Sequence, residues 1–304
     1  ATKSHTPTSH RARPYPSRPP FPHVGATKEA LPAGDYVEQT AGKLIPGHFI
    51  PGNGMDQTKA RFTQQMEDYY TATKTPGALP VQPTIPSVPK PISPQQLITE
   101  TLQVSQGVVF GEHHSQMASF KLLMDSMQTF VAQGVKKVYF EGVIDLPGVG
   151  AVDDGISNLG NLKKARTNPT YQDLVNEFKK NGIDVLPLDH YYLTRHKDDL
   201  LRSRTVSGVN SEIRLKEFNY YAAETIQANS GTEKWVALVG NAHMNTSEGV
   251  TGLAELTGTL GIGVFDNANV PHSMGLIDTR HIPDPAKPLK RGDLPGNLHI
   301  YMKP

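Results

Sequence analysis

The chain has 304 residues, with 30 Lys and Arg against 29 Asp and Glu, a formal net charge of +1 at pH 7. That balance argues against a nucleic-acid binder built on a broad basic field, and no apolar stretch approaches the roughly 20 residues of an integral membrane span. Cysteine is absent, which removes thiol nucleophiles, thiolate metal sites and disulfides together.

Most of the 25 prolines crowd into the first third of the chain. Residues 1–56 carry Pro, Ser, Thr, Gly and His without a hydrophobic period, a composition that cannot bury enough apolar surface to offset chain entropy. Disorder is expected there. The stretch 57–73 suits a short polar helix with Phe62, Met66, Tyr69 and Tyr70 on one side. Prolines then recur every two or three residues from Pro76 to Pro94, the pattern of an extended, semi-rigid linker. Residues 1–92 are therefore read as a Pro-rich leader, with the folded domain occupying 93–304. No signal-peptide pattern opens the sequence.

From Ser93 onward, short apolar runs alternate with helical periods. A helix over PQQLITETLQ leads to a strand at Gly107–Glu112. A single helix is expected from Met117 to Val131, capped by Ser115 and ended by Gly134. A second strand runs from Lys137 to Glu141. Leu146–Thr167 is Gly- and Asn-rich without period, a long loop of the kind that serves as a lid. A helix opened by Asn168-Pro169 precedes a third strand, Asp184–Asp189, whose Pro187 implies an edge or a bulge. Next come a helix over Ser211–Asn229 with Ile213, Phe218, Ala222 and Ile226 inward, and a strand at Lys234–Gly240. A short helix, a strand at Ile262–Asp266 and two further β candidates, Met274–Asp278 and Leu298–Met302, complete the chain. The alternation predicts an α/β fold in three layers, a mostly parallel central sheet with helices on both faces.

In such a sheet the carboxyl ends of the strands share one edge, where ligands bind. The first strand ends in Glu112, His113 and His114, and side chains two apart share a face, so Glu112 and His114 point together while His113 points away. Glu141 ends the second strand, Asp189 and His190 the third, and Gly240-Asn241-Ala242-His243 the fourth. A carboxylate ending a buried strand is costly without a partner. Glu112, His114, Glu141 and His243 are the expected catalytic set, with Asp189 and His190 secondary. The Gly-x-x-His spacing also occurs at Gly296, but His299 there alternates with Leu298 and Ile300 and reads as an exposed strand residue. Lone histidines such as His113, at a strand end, and His196, in the charged segment after the third strand, are more often capped or solvated.

The two strand-end Gly-x-x-His motifs, the first carrying Glu112 and the next strand ending in Glu141, resemble the TIKI, erythromycin-esterase and ChaN-like superfamily. The run WVALVGNAHMNTSEGVTGLAEL resembles its branch of bacterial toxin and effector domains. That branch includes the Ras/Rap1-specific endopeptidase of multifunctional Vibrio toxins and a domain of the Pasteurella mitogenic toxin. The resemblance covers about residues 105–268. It implies catalytic roles for Glu112, His114, Glu141 and His243, and carries over Arg214 and Asn219 from an R-x-x-x-M-N pattern in which Phe218 replaces Met. It implies a hydrolase of peptide or ester bonds, secreted and translocated into a host cell to meet a host protein substrate, the leader suiting type III secretion or a linker within a larger toxin. Two site chemistries follow from the family: a divalent metal held by the same four residues, or His/Glu catalysis without metal. Its ChaN-like members imply a haem alternative with Tyr191, Tyr192 or a strand-end His as ligand, and a non-catalytic binding effector is the remaining rival.

Overall fold

The computed structural model describes residues 36–39, 43–46, 53–86, 92–146, 150–153, 171–190, 193, 211–267, 276–278 and 296–303. In chain order these form β1 (Tyr36–Gln39), β2 (Lys43–Pro46), α1 (Asn53–Thr73), α2 (Pro94–Val104) and β3 (Gly107–Glu112). They continue with α3 (Ala118–Asp125), α4 (Met127–Ala132), β4 (Val135–Leu146), β5 (Gly150–Asp153), α5 (Tyr171–Lys180) and β6 (Asp184–His190). The last elements are α6 (Ser211–Ser230), β7 (Lys234–Gly240), α7 (Asn241–Met244), α8 (Leu253–Thr257), β8 (Leu260–Asp266), β9 (Leu276–Asp278) and β10 (Leu298–Met302).

Six strands run parallel in the order β6-β4-β7-β3-β8-β10. β9 adds antiparallel to β10, and β5 antiparallel to the far end of β4. β3 lies between β7 and β8 and is buried along its whole length, as a continuous apolar run in a parallel sheet should be. β6 is the edge of the parallel set, and its ladder with β4 slips just past Pro187, so proline occupies both an edge and an irregularity. One face carries Val108, Phe110, Val138, Phe140, Val236 and Leu238 against α2, α3, α4 and α5. The other carries Val109, Tyr139, Trp235, Ala237 and Val239 against α1, α6 and α8. The fold is α/β in three layers.

Several local expectations are corrected. Residues 36–39 and 43–46 pair as an antiparallel ladder inside the stretch expected to be disordered. The domain does not start at Ser93: Phe62, Met66, Tyr69 and Tyr70 of α1 are buried in one cluster with Phe218 and Tyr220 of α6. The proline segment after α1 is also packed. Pro80 covers Gly258, Gln82 Nε2 donates to Thr259 O at 2.7 Å, and Ile85 joins the opposite cluster. It straps the amino edge of the sheet from one face to the other.

The helix expected over Met117–Val131 is two helices meeting at Ser126, and Val131 is exposed. Ser115 does not cap it. Its hydroxyl lies 2.7 Å from His113 Nδ1, and Asp266 Oδ1 of β8 accepts the Ala118 N–H at 2.9 Å instead. Ile213 points outward, 39% exposed. His299 is the reverse, only 4% exposed and edge-on to Phe265 and Tyr301. β4 runs on to Leu146 and β5 returns along it, so part of the expected lid loop is strand. The remainder of that loop, Tyr191, Tyr192, His196 and the charged segment before α6 lie outside the described residues.

Candidate functional site

β3, β4 and β7 are adjacent, and their pairing brings the carboxyl ends Glu112, Phe140-Glu141 and Gly240 to one level: Glu112 is opposite Gly240, and Phe140 opposite Leu238. Glu112 follows Val108 and Phe110 in the period-two alternation and faces α3, where Ser119 Oγ donates to its Oε2 at 2.6 Å. Glu141 follows Tyr139 and faces α6. The two carboxylates thus stand on opposite sides of the sheet edge.

His114 spans the gap. Its Nδ1 is 3.1 Å from Glu112 Oε1, and its Nε2 leans over Gly240 so closely that a Cβ there would lie 2.8 Å away, with Glu141 Oε2 at 3.4 Å from the same point. Only a residue without a side chain lets the imidazole reach across. The His114 side chain is 45% exposed while that of Glu112 is 10% exposed, so a buried carboxylate orients a ring that solvent reaches. His113, turned away, bonds Ser115.

On the α6 side the groups are buried. Glu141 Oε2 accepts the Gly240 N–H at 2.6 Å, and its Oε1 faces Arg214 Nη2 at 3.6 Å and His243 Nε2 at 3.5 Å. Burial alone would raise the Glu141 carboxyl, but the two imidazoles, the Arg214 guanidinium and the Gly240 N–H together hold it below the usual carboxylate range. Arg214 is itself held by Asp189, Nη1 to Oδ1 at 3.2 Å and Nη2 to Oδ2 at 2.8 Å, a two-pronged pairing that fixes the guanidinium plane. Asp189 Oδ1 also accepts the His190 N–H at 2.8 Å.

His243 rests on the Phe218 ring, centroids 4.2 Å apart. Its Nδ1 is 2.8 Å from Asn219 Oδ1, and Asn219 Nδ2 donates to Thr251 O at 3.0 Å. With the amide nitrogen turned to that carbonyl, its oxygen faces the ring. Neutral His243 therefore carries its proton on Nδ1 and turns the Nε2 lone pair toward Glu141. Burial pushes the His243 pKa down to about 4, against the pull of Glu141 and with the help of Arg214, so the ring is neutral at pH 7.

Glu112, His114, Glu141 and His243 thus come together, with Asp189, Arg214 and Asn219 immediately behind them. His190 does something else: its ring packs on Tyr221 at 5.2 Å. Sequence reasoning missed Ser119, Gly240 as the gap that admits His114, and Asp266 and Gln116, which clamp the loop after β3 through Ala118 N–H to Asp266 Oδ1 and Asp266 N–H to Gln116 Oε1. The apolar-then-acidic end of β8 was the available signal for Asp266. Among the described residues no group of three or more His, Asp or Glu side chains is gathered as a metal site.

No family model and no curated protein matches the sequence. The chain is similar to solved structures of bacterial toxin and effector domains. One is RRSP, a MARTX toxin effector domain of Vibrio vulnificus CMCP6, at 19% identity and TM-score 0.40, covering 57% of this chain and 36% of that one. Another is the C-terminal region of Pasteurella multocida toxin, which has a thiol-protease-like catalytic triad, at 14% identity and TM-score 0.46, covering 70% and 31%. A third is the type III effector HopBA1, at 14% identity and TM-score 0.43, covering 73% and 99%. This chain spans about a third of the length of the first two structures.

Proposed function

We propose that this chain is a hydrolase domain acting on peptide or ester bonds of a host protein, with His114 as general base and without a metal. The observation that carries the reading is the line Ser119–Glu112–His114, which points Nδ1–H of the ring at a buried carboxylate and its Nε2 toward Gly240 and Glu141. A base oriented by a third group in this way is the general pattern of acid–base catalysis and contributes about 10²–10⁴-fold. Water loses a proton to His114 Nε2 as its oxygen bonds to the substrate carbonyl carbon. The tetrahedral intermediate then expels the amine or alkoxide, which takes that proton from the imidazolium, restoring the neutral ring. Glu141, held ionised, stabilises the imidazolium, and the His243 Nε2 lone pair accepts the second O–H of the water. In this reading the domain is delivered by a bacterium into a host cell.

The test is mass spectrometry of new protein termini in host-cell lysates treated with wild type, Glu112→Gln and His114→Ala. New termini are expected with wild type only. The same termini in all three samples would sink the scheme. An equal cellular effect of wild type and His114→Ala with no new termini would favour a non-catalytic binding effector.

A further inference from the structure

We propose that Tyr70, on the helix ahead of the sheet, is a positioning residue that fixes the Asn219 amide and, through it, the proton on His243. The inference rests on the hydrolytic reading for its consequence but on separate contacts for its geometry. α1 lies on α6 through Phe62, Met66 and Tyr69, with Tyr69 and Phe62 ring centroids 4.9 and 5.8 Å from that of Tyr220. This docking drives Tyr70, on the same helical face, into the layer behind the site. There its hydroxyl donates to Thr251 O at 3.4 Å, the same carbonyl that accepts Asn219 Nδ2 at 3.0 Å. The phenol oxygen also lies beside the Asn219 side chain, and burial holds the Tyr70 pKa above its ordinary value, keeping the hydroxyl protonated.

An asparagine amide is nearly symmetric in shape, so its orientation is decided by its partners alone. Tyr70 and Thr251 place two oxygens on the nitrogen side. The amide oxygen is left for His243 Nδ1 at 2.8 Å. Turned over, the amide would present N–H to Nδ1, and the ring would have to move its proton to Nε2. The acceptor beside Glu141 would then become a donor, at the place where the attacking water is held. α1 is thus part of the working unit, through one hydroxyl.

The test uses the full chain with ¹⁵N-labelled histidine. Long-range ¹H–¹⁵N spectra of wild type are expected to show His243 protonated on Nδ1. Tyr70→Phe, which keeps the ring, is expected to show a mixture of tautomers, with kcat about five-fold lower, the equivalent of one hydrogen bond, and KM unchanged. A His243 signature in Tyr70→Phe identical to wild type overturns the inference even if the protein hydrolyses its substrate. A mixed signature in a protein that hydrolyses nothing keeps the positioning role and removes the hydrolytic reading. A measurement on wild type needs no variant: a nuclear Overhauser contact between the Tyr70 ring and the Asn219 side-chain amide is expected, and its absence overturns the proposal.

Discussion

Gly240→Ala is expected to leave the fold intact and remove activity. The backbone at Gly240 has φ −60° and ψ 147°, an ordinary extended conformation for any L residue. On backbone grounds alone the substitution should stabilise the protein by about 0.4–1 kcal/mol, because alanine restricts the unfolded chain. The new methyl would, however, lie 2.8 Å from His114 Nε2 and 3.1 Å from Cε1, so the ring must retreat. It is half-exposed and can swing outward, giving up its bond to Glu112, an interaction of about 1.5–3 kcal/mol when one partner is charged. The two effects leave a net destabilisation of about 0.5–2.6 kcal/mol, which lowers the melting transition without abolishing it, while the base moves by on the order of an ångström, a displacement that costs about 10²-fold in rate. Thermal unfolding and turnover on a substrate identified by terminal proteomics report the two effects separately. Gly107→Ala is the contrast: its Cβ would fall 2.2 Å from the Trp235 indole, inside the core, where overpacking costs about 1–3 kcal/mol. Wild-type turnover by Gly240→Ala would refute the placement of His114 over Gly240, and a collapse of its melting transition would refute the claim that the ring is able to retreat.

Arg214→Met removes the guanidinium from a fully buried carboxylate, Asp189, and from Glu141; breaking such a pair costs about 3–5 kcal/mol, read as a lower midpoint in urea. Stability should also fall in acid. His243 has its folded pKa depressed from 6.5 to about 4, so between those pH values the unfolded chain binds a proton that the folded one refuses. Its contribution, at most about 3 kcal/mol, is present above pH 6.5 and lost as the pH falls toward 4. Glu141, also depressed, adds a loss below the ordinary carboxylate range. Chemical denaturation across pH 4–7 should show the slope, and His243→Gln should flatten it in the His window; an unchanged slope would place the acid sensitivity elsewhere.

The sequence by itself determined the sheet and the gathering of ionisable groups at its edge. Gly107–Glu112 and Lys234–Gly240 are continuous apolar runs, and burial on both faces of a parallel strand leaves no other use for them. The two Gly-x-x-His motifs and the acids at Glu112 and Glu141 were legible because ionisable groups directly after a buried run need partners. Asp189, Arg214 and Asn219 were legible only as weaker company for these four.

Tertiary structure decided what pattern does not encode. Whether His299 is exposed depends on the Phe265 ring of β8, the parallel neighbour of β10 in the sheet but remote in sequence. The division of labour between the histidines depends on burial: His114 leans over Gly240, which lacks a side chain, yet stays half-exposed, while His243 is neutral because Phe218, Asn219 and the sheet enclose it. The place of α1 depends on where its apolar face lands. A polar helix followed by prolines reads as a leader, yet docking on α6 puts Tyr70 against the residue that orients His243. Local composition fixes how much apolar surface a segment has to bury, and only the folded chain supplies the surface that buries it.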